Sequence, residues 1–282
     1  MTESDAEEGW FAGVEPDDAE AGARAIREGS VDAPADWPVR AVESGFAADE
    51  SNYYAKLRAA SIRATRDAVT ERERADDRQL VHAVRAMDDC ESEANELAER
   101  VAEWAGTLFA DAGTGIEYAR ELAEREPESP VEERLVALAR RVADLADERD
   151  DLRSFVERQA PAVAPNLADL AGPVLAARLV ALAGGLESLA KMPGGTVQVL
   201  GAENALFAHL RGRASSPKHG VIYTHEYVRG TAPEQRGSAA RTLSGKLVIA
   251  ARIDHYSGER KPELKEELDR RMAAIRSRGD DK

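Results

Sequence analysis

Residues 79–104 read QLVHAVRAMDDCESEANELAERVAEW, and in them Leu80, Val84, Met87, Cys90, Ala94, Leu97, Val101 and Trp104 recur at steps of three and four, a series that Leu108 extends. On a helix of 3.6 residues per turn these steps make one apolar stripe with charged side chains on the other faces, which is a coiled-coil pattern. After a break at residues 113–115, a bridging helix near residues 116–125 and punctuation by Pro127 and Pro130, a second series runs through Val131, Leu135, Leu138, Val142, Leu145, Leu152 and Val156. Two such helices are predicted to fold back as a long antiparallel hairpin. Leu80, Val84, Met87, Leu97, Val101, Leu135, Leu138, Val142, Leu145 and Leu152 form the candidate seam, serving either as plain core or as the dimerisation contact. Met87 and Cys90 read as packing residues.

Outward from the hairpin (residues 76–160), Pro161 and Pro165 are expected to end its second helix, because a residue before proline is pushed out of helical geometry. A C-terminal domain then spans residues 161–258, with short helices near 166–175, 176–182, 188–192 and 196–211 and a long one over 231–255. Residues 259–282 read as a charged tail helix. On the other side, residues 1–75 form a small acidic domain whose first 50 residues carry 14 acidic and 3 basic side chains. Its apolar clusters are Trp10, Phe11 and Val14, then Trp37, Val39 and Val42; a few short strands beside a helix, an α/β arrangement, are compatible with them, and a helix is expected from Asn52. With aromatics at 5% and Ala, Glu, Arg and Leu dominant, the fold class is mainly α.

Cys90 is the single cysteine, so no internal disulfide forms. No basic and apolar leader precedes the acidic start, and the expected location is intracellular, in the cytoplasm. The most apolar stretch, residues 174–186, is interrupted by Arg178 and is shorter than the roughly 20 apolar residues of a membrane span. The net charge of −15 argues against a polyanion partner until its distribution is read: residues 1–160 carry 40 acidic and 20 basic side chains, whereas residues 161–258 carry 6 and 10. A positive module inside an acidic chain points to a nucleic-acid site. The 31 Arg and 7 Lys, with the acidic excess, resemble proteins of salt-loving, halophilic cells, where screening would weaken phosphate contacts and shift binding onto close hydrogen bonds and a protein partner.

Three features of residues 161–258 converge on phosphate. The loop over residues 211–219 concentrates Arg211, Arg213, Lys218, two serines and a glycine, a composition suited to a sugar-phosphate backbone and shared with solvated turns. Thr231 and Glu234 have capping-box spacing around Pro233, which would set free first-turn amides beside Gln235 and Arg236. Arg241, Lys246 and Arg252 continue along that helix, with Arg241 and Arg252 nearly on one face. His209, His219, His225 and His255 with Glu226 lack the spacing of HExxH, so no metal site is assigned. Neither GxGxxG nor GxxxxGK[ST] occurs, and no nucleophile constellation is present, so no catalytic residue and no cofactor is assigned.

The stretches APNLADLAG from Ala164, AKMPGGTVQVLGAENALF from Ala190, SPKHGVIY from Ser216 and RGSAARTLSGKLVIAARID from Arg236 resemble the Nop domain, and residues 79–104 resemble the first coiled-coil helix of its archaeal members. The resemblance implies an all-α Nop domain and the role of RNA-binding core subunit in box C/D ribonucleoproteins, which guide 2′-O-methylation of ribosomal and transfer RNA. It implies as partners box C/D kink-turn RNA, a small kink-turn-binding protein and the methyltransferase fibrillarin, which holds the S-adenosylmethionine, with self-association through the coiled coil. It places Glu203, Asn204, Phe207, Lys218, Arg236 and Arg241 on the RNA side. The chain departs from the family pattern at Asn204 and Ala208, where cations are usual, at Ser238, where lysine is frequent, and over the N-terminal region, from which no fibrillarin contacts carry over.

Two other classes stay open beside this scaffold: a coiled-coil structural adaptor without direct RNA contact, and an enzyme acting on RNA itself. Substituting Arg213, Lys218, Arg236 and Arg241 would leave an adaptor's binding unchanged, and an enzyme would modify RNA without added protein.

Overall fold

The computed structural model describes residues 9–30 and 35–280; the first eight residues of the acidic opening, residues 31–34 and the last two residues of the tail lie outside them. Two compact units divide at Ala75.

The first unit holds α1 (Ala19–Glu28), α2 (Trp37–Glu43) and α3 (Glu50–Arg74). Two aspartates start its helices: Asp18 accepts from the amides of Glu20 and Ala21, and Asp49 from that of Asn52 at 2.7 Å, each satisfying first-turn donors that have no helical partner. Phe11, Phe46 and Tyr53 are buried together. Trp10 stands edge-on to Phe46 at 5.4 Å and donates its indole N–H to the Tyr53 hydroxyl at 3.2 Å. No strand is present among the described residues, so the α/β expectation is corrected. The early aromatics close a helical core around Tyr53, while Val39 and Val42 stay largely exposed.

The second unit opens with α4 (Asp76–Ala105), α5 (Gly115–Ala123) and α6 (Pro130–Val163), the hairpin and its bridging helix. Ser129 accepts from the Glu132 amide at 3.2 Å and the Glu132 carboxylate accepts from the Glu128 amide at 3.1 Å, so a near capping box with Pro130 in the first turn starts α6. At the tip Ala98, Val101, Ala105, Leu135, Ala139 and Val142 pack with α5, which is tied to α6 by the Arg120–Asp147 ion pair and by Arg140 on the Ala123 carbonyl. The alanines let the helices approach closely.

Two sequence expectations change here. Helix α6 runs through Pro161 and ends at Val163; the stop comes at Ala164, ahead of Pro165. Of the proposed dimerisation contacts, Leu80, Val84, Met87, Val101, Leu135 and Val142 are each 0–1% exposed inside this one chain, so they have no surface left for a second copy. Leu97, Leu138, Leu145 and Leu152 are half-buried.

At the foot, Leu80, Val84, Met87, Val156 and Ala160 share one core with α7 (Pro165–Ala171), α8 (Pro173–Ala183), α9 (Leu186–Lys191) and α10 (Gly194–Val199), to which α11 (Glu203–Leu210) adds no buried residue, and with a 3-10 turn (Val221–Thr224), α12 (Glu226–Arg229), α13 (Arg236–Tyr256) and α14 (Glu263–Asp280). The expected boundary between residues 160 and 161 therefore falls within one helix whose buried face belongs to a continuous core. Helices α7 and α8 bend by 116° at Gly172, whose φ of +78° suits glycine. No single helix among the described residues is long and apolar enough to cross a membrane.

Polar locks fix the foot. The Asp88 carboxylate takes the Arg178 guanidinium in a forked pair, and Asp77 accepts the Leu186 amide at 3.0 Å. Buried Asp254 on α13 accepts from the amides of Asn166 and Leu167 and from the Asn166 side chain, capping α7 from a distant part of the chain.

Candidate nucleic-acid interface

Helix α11 has no buried residue, and it displays Phe207 at 56% and Leu210 at 70% exposure. The expected single helix over 196–211 breaks at Leu200, because Gly201 takes a φ of +82°. The Glu203 carboxylate accepts the Gly201 amide at 2.8 Å, so Glu203 holds the start of the helix, while Asn204 is exposed beside it. At the far end Gly212, with φ +70°, sends its amide to the His209 carbonyl, and His209 Nδ1 lies 3.0 Å from the Ala214 carbonyl. The chain thus leaves α11 in a fixed turn that carries Arg211 and Arg213 outward.

The loop returns along Gln198. Gln198 Nε2 donates to the Lys218 carbonyl at 2.7 Å, the Gly220 amide to the Gln198 carbonyl and the Val221 amide to the Leu200 carbonyl. A Cβ at Gly220 would stand 2.0 Å from the Leu200 carbonyl oxygen, so only glycine allows this approach.

Arg211, Arg213, Lys218 and Arg241 are exposed, and among the described residues their side chains form no ion pair. Elsewhere in the unit Arg178, Arg120 and Lys246 are matched to carboxylates. Over residues 194–245 there are 6 basic and 3 acidic side chains, so the local balance is positive. Unpaired cations beside exposed apolar side chains suit a ligand with both phosphates and base or protein surface.

Behind the loop the rings of His219 and Tyr223 stack at 4.5 Å, and the Arg236 guanidinium lies over Tyr223 at 5.6 Å. Burial, then the charges of Arg236 and Lys218, hold the His219 imidazole below its ordinary pKa, so it is neutral at pH 7. Arg236 Nε donates to the Thr231 carbonyl at 3.0 Å and Nη2 approaches the Arg229 carbonyl; Arg236 is therefore half spent on its own chain.

Other expected cations are placed elsewhere. Lys246 is buried and paired with Glu267 of α14, and Arg252 donates to the Ala190 carbonyl at 2.9 Å. The capping box does not form: α13 starts at Arg236 with Gln235 as its cap and no side-chain bond, while the Thr231 hydroxyl donates to the Tyr227 carbonyl at 2.7 Å. Proline at 233 leads into a turn before the helix, so the helix entry lies four residues beyond Thr231.

Sequence reasoning passed over Leu210, Arg229 and Tyr223. Tyr223 lies at the end of the SPKHGVIY stretch, four residues from His219, and that spacing was the signal that could have found it. A cleft of 630 Å³ beside Tyr223 reaches to Arg85, Asp88 and Arg178 at the hairpin foot, where Arg178 is paired with Asp88 and Arg85 bonds the Ala181 carbonyl. Among the described residues no group of three or more metal-ligating side chains is placed to hold an ion.

Comparison with known proteins covers nearly all of this unit. The Nop family profile, described as "snoRNA binding domain, fibrillarin", matches residues 78–274. An uncharacterized NOP5 family protein of Methanocaldococcus jannaschii is 49% identical over 142 residues, 50% of this chain and 34% of that protein. Nucleolar protein 58 of Scheffersomyces stipitis is 31% identical over 245 residues, 72% of this chain and 48% of that protein. The chain thus spans half or less of the length of these two relatives. Among solved structures, a chain of a fibrillarin/Nop5p complex superposes with a TM-score of 0.53 at 27% identity, covering 92% of this chain and 91% of that one.

Proposed function

Because the chain belongs to the Nop family, we propose that it is the RNA-binding scaffold of a box C/D ribonucleoprotein. It joins kink-turn RNA, with its small binding protein, to a fibrillarin-type methyltransferase for 2′-O-methylation of ribosomal or transfer RNA. The observation that carries the reading is the pairing of exposed Phe207 and Leu210 on α11 with the unpaired Arg211, Arg213 and Lys218 of the following loop, in a chain of net charge −15.

Each part has a physical task. The cations hold phosphates, which sets register and orientation without reading bases. The apolar face of α11 is too small to bind alone and fits a composite surface shared by the RNA and its small protein. The hairpin extends from that site as a rigid arm and self-associates through surface other than its buried seam, and the acidic first unit receives the methyltransferase. The chain contributes no catalytic group; S-adenosylmethionine belongs to the methyltransferase. The reading includes an archaeal, halophilic source and a cytoplasmic assembly, supported by the M. jannaschii relative and by the acidic surface.

The test is a gel-shift titration of box C/D kink-turn RNA with and without the small kink-turn-binding protein, at several salt concentrations. A supershift that requires the small protein supports a composite site. No shift in either condition removes the RNA role and leaves a coiled-coil adaptor.

A further inference from the structure

We propose that the C-terminal helix α14 positions the cation-bearing loop through Arg276, an inference that rests on the RNA-binding reading above.

The contacts form one chain. Arg276 Nη2 donates to the Glu226 carbonyl at 3.2 Å, its Nε reaches the Thr231 hydroxyl oxygen at 3.4 Å, and its guanidinium lies 5.6 Å from the centre of the Tyr227 ring. The Tyr227 hydroxyl donates to Asp269, also on α14. Thr231 is 3% exposed; its hydroxyl proton goes to the Tyr227 carbonyl, which leaves its oxygen free to accept from Arg276. The Thr231 carbonyl accepts from Arg236 Nε, the Arg236 guanidinium covers Tyr223, and Tyr223 stacks on His219, the neighbour of Lys218. A side chain near the end of α14 is thereby linked, through the turn at residues 226–231, to the loop that presents the cations.

Arg276 is not needed to hold α14 in place. The helix is anchored by Leu268 and Met272, both fully buried, and by Glu267 on Lys246. Arg276 itself is exposed and directs its guanidinium at residues 226–231. A guanidinium with several donors in a fixed fork suits that use, since it fixes the turn in orientation as well as in place. Arg276 touches no part of the loop directly, so its role is to position it.

The experiment compares Arg276→Ala, Arg236→Ala and the double variant in the full chain, titrated into kink-turn RNA with its small binding protein over a range of salt. Arg276→Ala is expected to weaken binding about three- to tenfold and to flatten the dependence of log K on log salt by about 0.7 to 0.9 for each phosphate that is no longer neutralised, with the melting temperature nearly unchanged. The double variant is expected to bind no more weakly than Arg236→Ala alone, because both residues act in one chain of contacts. Wild-type affinity for Arg276→Ala, or penalties that multiply in the double variant, overturns the proposal. Tyr227→Phe is the second variant, keeping the ring and losing the Asp269 bond; a smaller loss in the same direction is expected, and a lower melting temperature with unchanged affinity and salt slope overturns the positioning role. If removing Arg211, Arg213 and Lys218 together leaves affinity unchanged, the RNA-binding reading itself fails; if that change weakens binding while Arg276→Ala does not, only the positioning role fails.

Discussion

Asp254→Ala removes a cap that reaches across 88 residues of sequence. The Asp254 carboxylate, in a residue 9% exposed, accepts from the Asn166 amide at 3.0 Å, the Leu167 amide at 2.8 Å and Asn166 Nδ2 at 2.6 Å. The two amides are first-turn donors of α7 with no helical partner, so alanine leaves them buried and unmatched. The Asn166 side chain keeps the Glu259 carbonyl and the Lys261 amide, which limits the damage. A hydrogen bond to a charged group contributes about 1.5–3 kcal/mol, but these three share one acceptor and are not additive, so the expected loss is about 3–4 kcal/mol. In a unit of this size that lowers the melting temperature by roughly 10 °C. Thermal unfolding followed by far-ultraviolet circular dichroism reads the shift. A fall of less than about 3 °C would refute the reasoning, since the carboxylate would then not be the acceptor that closes α7. Asp254→Asn, which offers an NH₂ to one of the amides, is expected to recover only part of the loss.

Arg211→Ala, Arg213→Ala and Lys218→Ala should each lower the salt slope of RNA binding by about one and leave the melting temperature unchanged, because exposed cations without ion pairs contribute little to folding; salt titrations and melting curves on the same samples check both halves. Gly220→Ala drives a Cβ into the Leu200 carbonyl and should weaken RNA binding while the hairpin stays folded, read by gel shift beside circular dichroism. His219 and His225 both titrate below the ordinary value of 6.5, chiefly through burial, so their neutral forms favour the folded state above pH 6.5 and that contribution is lost as pH falls through their folded values. His225 makes the reason visible: Nδ1 accepts the Tyr227 amide while Nε2 donates to the Leu170 carbonyl, and a second proton would set two donors face to face. The melting temperature should therefore fall as the pH is lowered below 6.5, less steeply in His225→Gln.

The parts of this architecture set by periodicity were readable in the sequence. Steps of three and four from Leu80 to Trp104, and of three, four and one of seven from Val131 to Val156, specify two helices, and the hairpin follows from the bridging helix and its flanking turns between them. What periodicity leaves open is which neighbour an apolar stripe meets, so Leu80, Val84 and Met87 could not be told apart as dimer seam or as the core they form with α8. Local rules failed where tertiary contacts overrode them. Pro161 stays inside α6, and Thr231 serves the turn before α13 instead of capping it. The cations of the interface were legible as composition, but the sequence does not distinguish Arg241, left unpaired, from Lys246, which meets Glu267 on a helix 21 residues away. The four-residue spacing of His219 and Tyr223 hints at their ring stack, but the place of that stack behind the cations depends on the return path along Gln198, which no local pattern encodes.

The most direct test of the scaffold role is a reconstituted methylation assay: a fibrillarin-type methyltransferase, the small kink-turn-binding protein, box C/D guide RNA, a matching substrate RNA and S-adenosylmethionine, with and without this chain. The account predicts methyl transfer to the guide-specified ribose only when the chain is present, and its loss when Arg211, Arg213 and Lys218 are replaced together. Equal methylation without the chain, or methylation by the chain with no methyltransferase added, would contradict it.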